Sequence, residues 1–178
     1  ILSSSEFDGF NFEKARENYL AALKVYATLN DSINIGKINN NLGWLHNEQG
    51  ELENAIRFYQ NSLLIKENIG DKAGQVVANL NIGSILNKQG RLEESLKYFR
   101  VGEQIAIEIG DASNHLHILS NLVDVTAALG KVDSMTVYLN NYKTLKDSLF
   151  NIEKQKQINE LQTLYETEHK ERALVEEQ

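Results

Sequence analysis

Four histidines, no cysteine and 25 acidic side chains are the raw material for chemistry in this chain of 178 residues. They form no reactive pattern. Without cysteine there is no thiol nucleophile, no thiolate metal ligand and no disulfide. His46, His115, His117 and His169 lack metal-ligand spacing, and His115 and His117, two apart on a helix, point to different faces. No glycine-rich loop between strand and helix is present to cradle a phosphate. Glu51, Glu53, Glu93 and Glu94 fall in the first turns of expected helices, where a carboxylate complements the helix dipole, and a solvated helix face accounts for them. No catalytic residue, no metal and no cofactor is expected, and the fragment is read as non-enzymatic.

The chemistry the chain offers is that of binding, and it comes with a period. Asn41, Asn81 and Asn121 stand 40 residues apart, as do Gly50, Gly90 and Gly130. Leu42, Ile82 and Leu122, then Leu52, Leu92 and Val132, then Phe58, Tyr98 and Tyr138 keep the same interval. Gly70-Asp71 returns as Gly110-Asp111, with Asn30-Asp31 one period earlier. So many coincidences at one period mark internal repeats.

Each period holds two helices. Glycine just past a helix end adopts the left-handed conformation that closes the last free carbonyls. Gly50, Gly90 and Gly130 are placed to do this for first helices, Gly70 and Gly110 for second helices. Asp71 and Asp111 then cap the next helix by accepting from its free amides. There is no proline to interrupt a helix from inside. The expected pairs are 36–49 with 52–69, 72–89 with 92–109, and 112–129 with 132–149. A lone helix at 12–29 is the second member of a truncated pair, 10–29.

Composition sets the bounds. The chain is 42% hydrophobic and 24% charged with a net charge of −7, which is globular material. An acidic surface lacks the clustered lysine and arginine that phosphates demand, so no nucleic acid is expected as a partner. No apolar run reaches the ~18 residues of a membrane span. The sequence opens at Ile1 without a start methionine, so a signal peptide or membrane anchor is expected to lie outside it.

The segments "NNLGWLHNEQGELENAIRFYQNSL" and "ANLNIGSILNKQGRLEESLKYFRVG" resemble tetratricopeptide repeats of the 40-residue kind, and the resemblance covers residues 10–149. It implies an all-α fold, a right-handed superhelical array of antiparallel helix pairs, ending in one long C-terminal helix. The family pattern asks for small residues where paired helices approach. Gly43 with Ala55 and Gly83 with Ser95 supply them, and Ala15 does so in the truncated pair. Val123, Met135 and Tyr142 depart from it, Tyr142 standing where Ala22, Ser62 and Gly102 do, so the third pair is expected to cross more widely or to shift.

The resemblance also implies a groove lined by first helices, with one asparagine on each holding the backbone of an extended peptide. Those positions are Asn41, Asn81 and Asn121, with Lys37, Val77 and His117 one turn earlier and Trp44, Ser84 and Asp124 three residues later. His117 is only a part-time cation near neutral pH, so a peptide or protein segment is expected there without selectivity for a terminal carboxylate. The same amides could equally bond neighbouring helices or water. Trp44 suits either stacking on a ligand side chain or half-burial between adjacent pairs.

After residue 149 the punctuation ends. Phe150 and Asn151 stand where Gly110 and Asp111 stood, so the helix is expected to run on through 150–178. Leu149, Phe150, Ile152, Ile158, Leu161, Leu164 and Tyr165 are frequent enough to cover the open end of the last pair. A heptad through Ile158, Leu161, Tyr165, Glu168, Arg172 and Val175 gives a weak coiled coil, a route to a homodimer through 150–178. "YKTLKDSLFNIEKQKQINELQTLYETEHKER" resembles the junction in membrane-bound signalling proteins of the Bacteroidetes, where such repeats form an extracytoplasmic sensor. In that family a transmembrane segment and a histidine kinase or helix-turn-helix transcription regulator follow. The resemblance implies a sensor that passes ligand state along the last helix, on the periplasmic side of a membrane. The alternatives are a freestanding cytoplasmic scaffold holding a partner's peptide and an intracellular peptide-pheromone receptor.

Overall fold

In a computed structural model that describes residues 11–176, with side chains through residue 167, the chain is a run of α-helices without strands among the described residues. They are α1 (Phe12–Thr28), α2 (Ser32–Glu48), α3 (Leu52–Asn68), α4 (Lys72–Lys88), α5 (Leu92–Ile109), α6 (Ala112–Ala128) and α7 (Val132–Glu176). Each packs on its chain neighbour, α2 on α3, α4 on α5 and α6 on α7 forming the antiparallel pairs.

The turns are built alike. Gly50, Gly70, Gly90, Gly110 and Gly130 have φ between 67° and 76°, and Asn30, at φ 53°, does the same work one period earlier. Asparagine is the residue that best tolerates this conformation after glycine. At every turn the next amide reaches back to the helix end, as Asp71 N does to Lys66 O at 2.9 Å and Arg91 N to Leu86 O at 2.9 Å. Asp31, Asp71 and Asp111 then cap α2, α4 and α6, accepting from the amides of Asn34, Gly74 and Asn114 at 2.9–3.0 Å.

Within a pair, close approach depends on glycine under an aromatic ring. A methyl group added to Gly43 would stand 2.8 Å from the Tyr59 ring, and one added to Gly83 2.7 Å from the Phe99 ring. Nearby, Ser62 Oγ donates to Gly36 O and Ser95 Oγ to Gly83 O, both at 2.8 Å and buried. Two apolar clusters result. One gathers Ala55, Ile56, Tyr59, Ile82, Ile85 and Leu86; the other gathers Val76, Leu96, Phe99, Ile118, Leu122 and Val125 with Ala106.

The third pair carries different residues at these positions. Val123 stands where the other pairs have the glycine and Leu139 where they have the ring. The α6–α7 contact is thinner than that of the other two pairs. Tyr142 is half-buried. Its counterpart Gly102 faces the next pair, 3.1 Å from Ile118 Cδ1 for an added methyl. Tyr142 carries Lys146 Nζ over its ring at 5.7 Å.

Second helices are fastened along their outer side. Lys131 Nζ reaches Glu93 at 2.8 Å, Arg91 reaches Glu53 at 3.6 Å, and Gln60 and Arg100 donate to the hydroxyls of Tyr98 and Tyr138 at 3.2 Å. Glu53 and Glu93 are mostly exposed and lie in first turns, as the solvated-face reading expects, and each also meets a cation of the following pair. Glu51, directly ahead of α3 and partly exposed, also meets His46 Nδ1 at 2.6 Å and accepts from Asn54.

α7 has no turn at Phe150-Asn151 and continues as one helix of 45 residues, about 67 Å at helical rise. Leu145 and Leu149 are its last half-buried side chains, and every described side chain from Phe150 to Thr167 is exposed. Phe150 (68% exposed), Ile152 and Leu161 thus cover nothing, contrary to the expectation that they close the array. The side chains of Glu168, Arg172 and Val175 in the expected heptad lie outside those described.

Candidate functional site

The first helices α2, α4 and α6 place the expected binding residues at equivalent turns, in rows of Lys37, Asn41 and Trp44, then Val77, Asn81 and Ser84, then His117, Asn121 and Asp124. Lys37, His117 and Asp124 are exposed; the three asparagines, Trp44 and Ser84 are half-buried. α4 and α6 touch directly.

Hydrogen bonding separates these residues. Asn121 Nδ2 donates one of its two N–H groups to His117 O at 2.8 Å, and Ser84 Oγ donates its single O–H to Leu80 O at 2.8 Å, each inside its own helix. Asn121 keeps its carbonyl oxygen as an acceptor. Among the described residues the side-chain amides of Asn41 and Asn81, set within α2 and α4, have no hydrogen-bond partner, which leaves them available. Trp44 packs against the cluster of Ala55, Ile56, Tyr59 and Ile82, so much of its ring belongs to the core.

Several polar groups close to this wall were not singled out by spacing. Asn39 and Asn79 are buried, each donating to the carbonyl four residues back at 2.9 Å. Asn40 Oδ1 and Asn47 Oδ1 are buried without a partner among the described residues. Lys66, 8% exposed, sets its Nζ 3.4 Å from Gly74 O; burial pushes its pKa down, with Asp71 opposing. Burial also pushes the Tyr59 hydroxyl up to about 12. The shared period of 40 could have flagged Asn39 and Asn79; nothing local distinguishes Asn40 or Lys66.

Between α5 and α6, His115 Nε2 faces Glu103 Oε1 at 3.8 Å, too long for a hydrogen bond, and both side chains are largely covered. Burial lowers the His115 pKa and raises that of Glu103, so each is pushed toward its neutral form.

Among the described residues no group of three or more His, Cys, Asp or Glu could hold a metal ion. No helix among them is long and apolar enough to cross a membrane. The wall offers amides, a hydroxyl, one lysine and an indole, which can hold a polypeptide by hydrogen bonds and contact.

A family model described as tetratricopeptide repeat matches residues 36–69 and 76–100. No curated protein matches the sequence. Among solved structures, BtubC (BKLC) from P. vanneervenii is 19% identical over 77% of this chain and 56% of its own, with a TM-score of 0.71. Aspartyl phosphate phosphatase F from Bacillus subtilis is 16% identical over 82% of this chain and 43% of its own, with a TM-score of 0.65. The TPR domain of Arabidopsis FLU is 16% identical, covering 75% of this chain and 98% of its own, with a TM-score of 0.56. At these identities the likeness is one of fold. The chain spans 56% and 43% of the length of the first two.

Proposed function

Residues 36–69 and 76–100 are tetratricopeptide repeats, and from that premise we propose that the chain is a binding module for a protein or peptide segment, serving as the input region of a membrane-bound signalling or transcription-regulatory protein. The segment lies along α2, α4 and α6, held by Asn41, Asn81 and Asn121 with Lys37, Trp44, Ser84, His117 and Asp124 beside them. α7 carries the state of the array toward an output domain, with the array on the extracytoplasmic side of a membrane.

The observation that supports this reading is the continuity of α7. Three earlier second helices end at Asn30, Gly70 and Gly110, whereas α7 passes the corresponding place and leaves the array as a bare rod. A bare rod with exposed apolar residues is marginal alone in water and gains from pairing, which makes a homodimer through 150–178 part of the proposal. For the rod to report on a ligand, the ligand must bind two curvatures of the array with different affinity.

Sequencing the gene past Gln178 tests the setting: the proposal expects about twenty apolar residues within a few heptads. A stop codon there would replace the sensor by a freestanding scaffold that holds a partner's extended peptide. Titration of peptides from extracytoplasmic extracts, followed by Trp44 fluorescence, tests the groove. Saturable binding lost in Asn41→Ala/Asn81→Ala is expected.

A further inference from the structure

α2, α4 and α6 turn their buried sides into the pairs, so each shows the wall one strip of residues three and four apart. The strips differ in charge. On α2, Lys37 is exposed and forms no hydrogen bond or ion pair among the described residues. Asp31 senses that charge, but Asn34 engages both of its carboxylate oxygens. On α6, Asp124 is exposed and equally unpaired among the described residues. Between them the wall turns apolar. Trp44, Val77 and Leu80 are half-buried, and Trp44 and Leu80 rest on the two core clusters.

The other charges of these strips leave that order in place. Glu48 and Lys88 close α2 and α4, opposite in sign at the same turn of successive first helices, so they offset one another. His117, level with Lys37 but on α6, has the Asp111 carboxylate near it. Lys37 and Asp124 stand two first helices and two helical turns apart, roughly 20 Å. An extended chain covers that distance in about six residues. Opposite charges at the two ends of such a path admit one register and steer the approach of a complementary segment.

We infer that the segment held by this wall carries an acidic side chain over Lys37, an apolar side chain over Trp44, Val77 and Leu80, and a basic side chain over Asp124. This rests on the proposed groove and adds the chemistry of its occupant.

The test is a bead library of randomised decapeptides, acetylated at one end and amide-linked at the other so that only side chains carry charge. Beads are sorted for binding of the fluorescently labelled 178-residue chain. An acid and a base about six residues apart, with a large apolar residue between them, are expected about threefold more often in sorted than in unsorted beads. Lys37→Glu is expected to replace the selected acid by a base, and Asp124→Lys the selected base by an acid. Both residues are exposed, and circular dichroism checks that the variants keep the fold. Sorted peptides whose charges ignore both reversals would overturn the inference and leave the groove standing as a peptide site. Recovery of no peptide would overturn the groove and the inference together.

Discussion

The ring of Tyr59 covers the backbone of Gly43 so closely that a single added methyl would lie 2.8 Å from it, and Phe99 repeats this over Gly83 at 2.7 Å. Both rings are essentially buried, at 3% and 0% exposure, so neither can swing aside. Helix propensity alone favours Gly→Ala by about 1 kcal/mol. Here Gly43→Ala and Gly83→Ala are expected to destabilise by about 1–3 kcal/mol in urea titrations, because overpacking outweighs propensity. Tyr59→Leu should recover part of the loss in Gly43→Ala, following the Val123–Leu139 exchange of the third pair, and a double-mutant cycle measures the coupling.

Asn40 offers the opposite sign. Its buried Oδ1 has no partner, and the residue one period on is Leu80, packed against the second core cluster. Asn40→Leu is expected to stabilise by about 1 kcal/mol, by removing an unpaired buried acceptor. A lower urea midpoint in the variant would show that the oxygen is satisfied in solution.

The Glu103–His115 pair gives a pH dependence with two opposed parts. Burial depresses the folded pKa of His115, so the unfolded chain binds its proton first and stability falls as pH drops through the window below about 6.5. Burial raises the folded pKa of Glu103, so its contribution is present below about 4.5 and is lost as pH rises through the folded value. His115→Gln, the residue found at position 75, is expected to lose less stability than the parent chain between neutral and mildly acidic pH. Glu103→Gln is expected to lose more. Thermal melts of the three proteins across that range would refute the assignment if their profiles ran parallel.

A stop can be restored to α7. Phe150→Gly with Asn151→Asp installs the Gly110-Asp111 pair at the point where α7 leaves the array. Amides beyond residue 151 are expected to exchange as a separate, less protected unit, while the melting midpoint of the array stays unchanged. A midpoint that falls with the rod would mean that the rod supports the array.

Helix ends were legible in the sequence because they are local. A left-handed glycine and an aspartate accepting from an amide three residues on are settled within one turn, and so is their absence at Phe150-Asn151. The period of 40 then dictated the order of pairs, and small residues opposite one another dictated that they pack closely. The tertiary structure alone decided what each polar residue meets. Asn39, Asn40 and Asn41 are identical neighbours, yet one is buried and bonded, one has a buried oxygen without a partner, and one is half-buried on the wall. Successive residues on a helix point about 100° apart, and which direction is inside depends on helices placed far along the chain. For the same reason Glu93 reads as a first-turn charge until Lys131, a full pair away, closes on it at 2.8 Å.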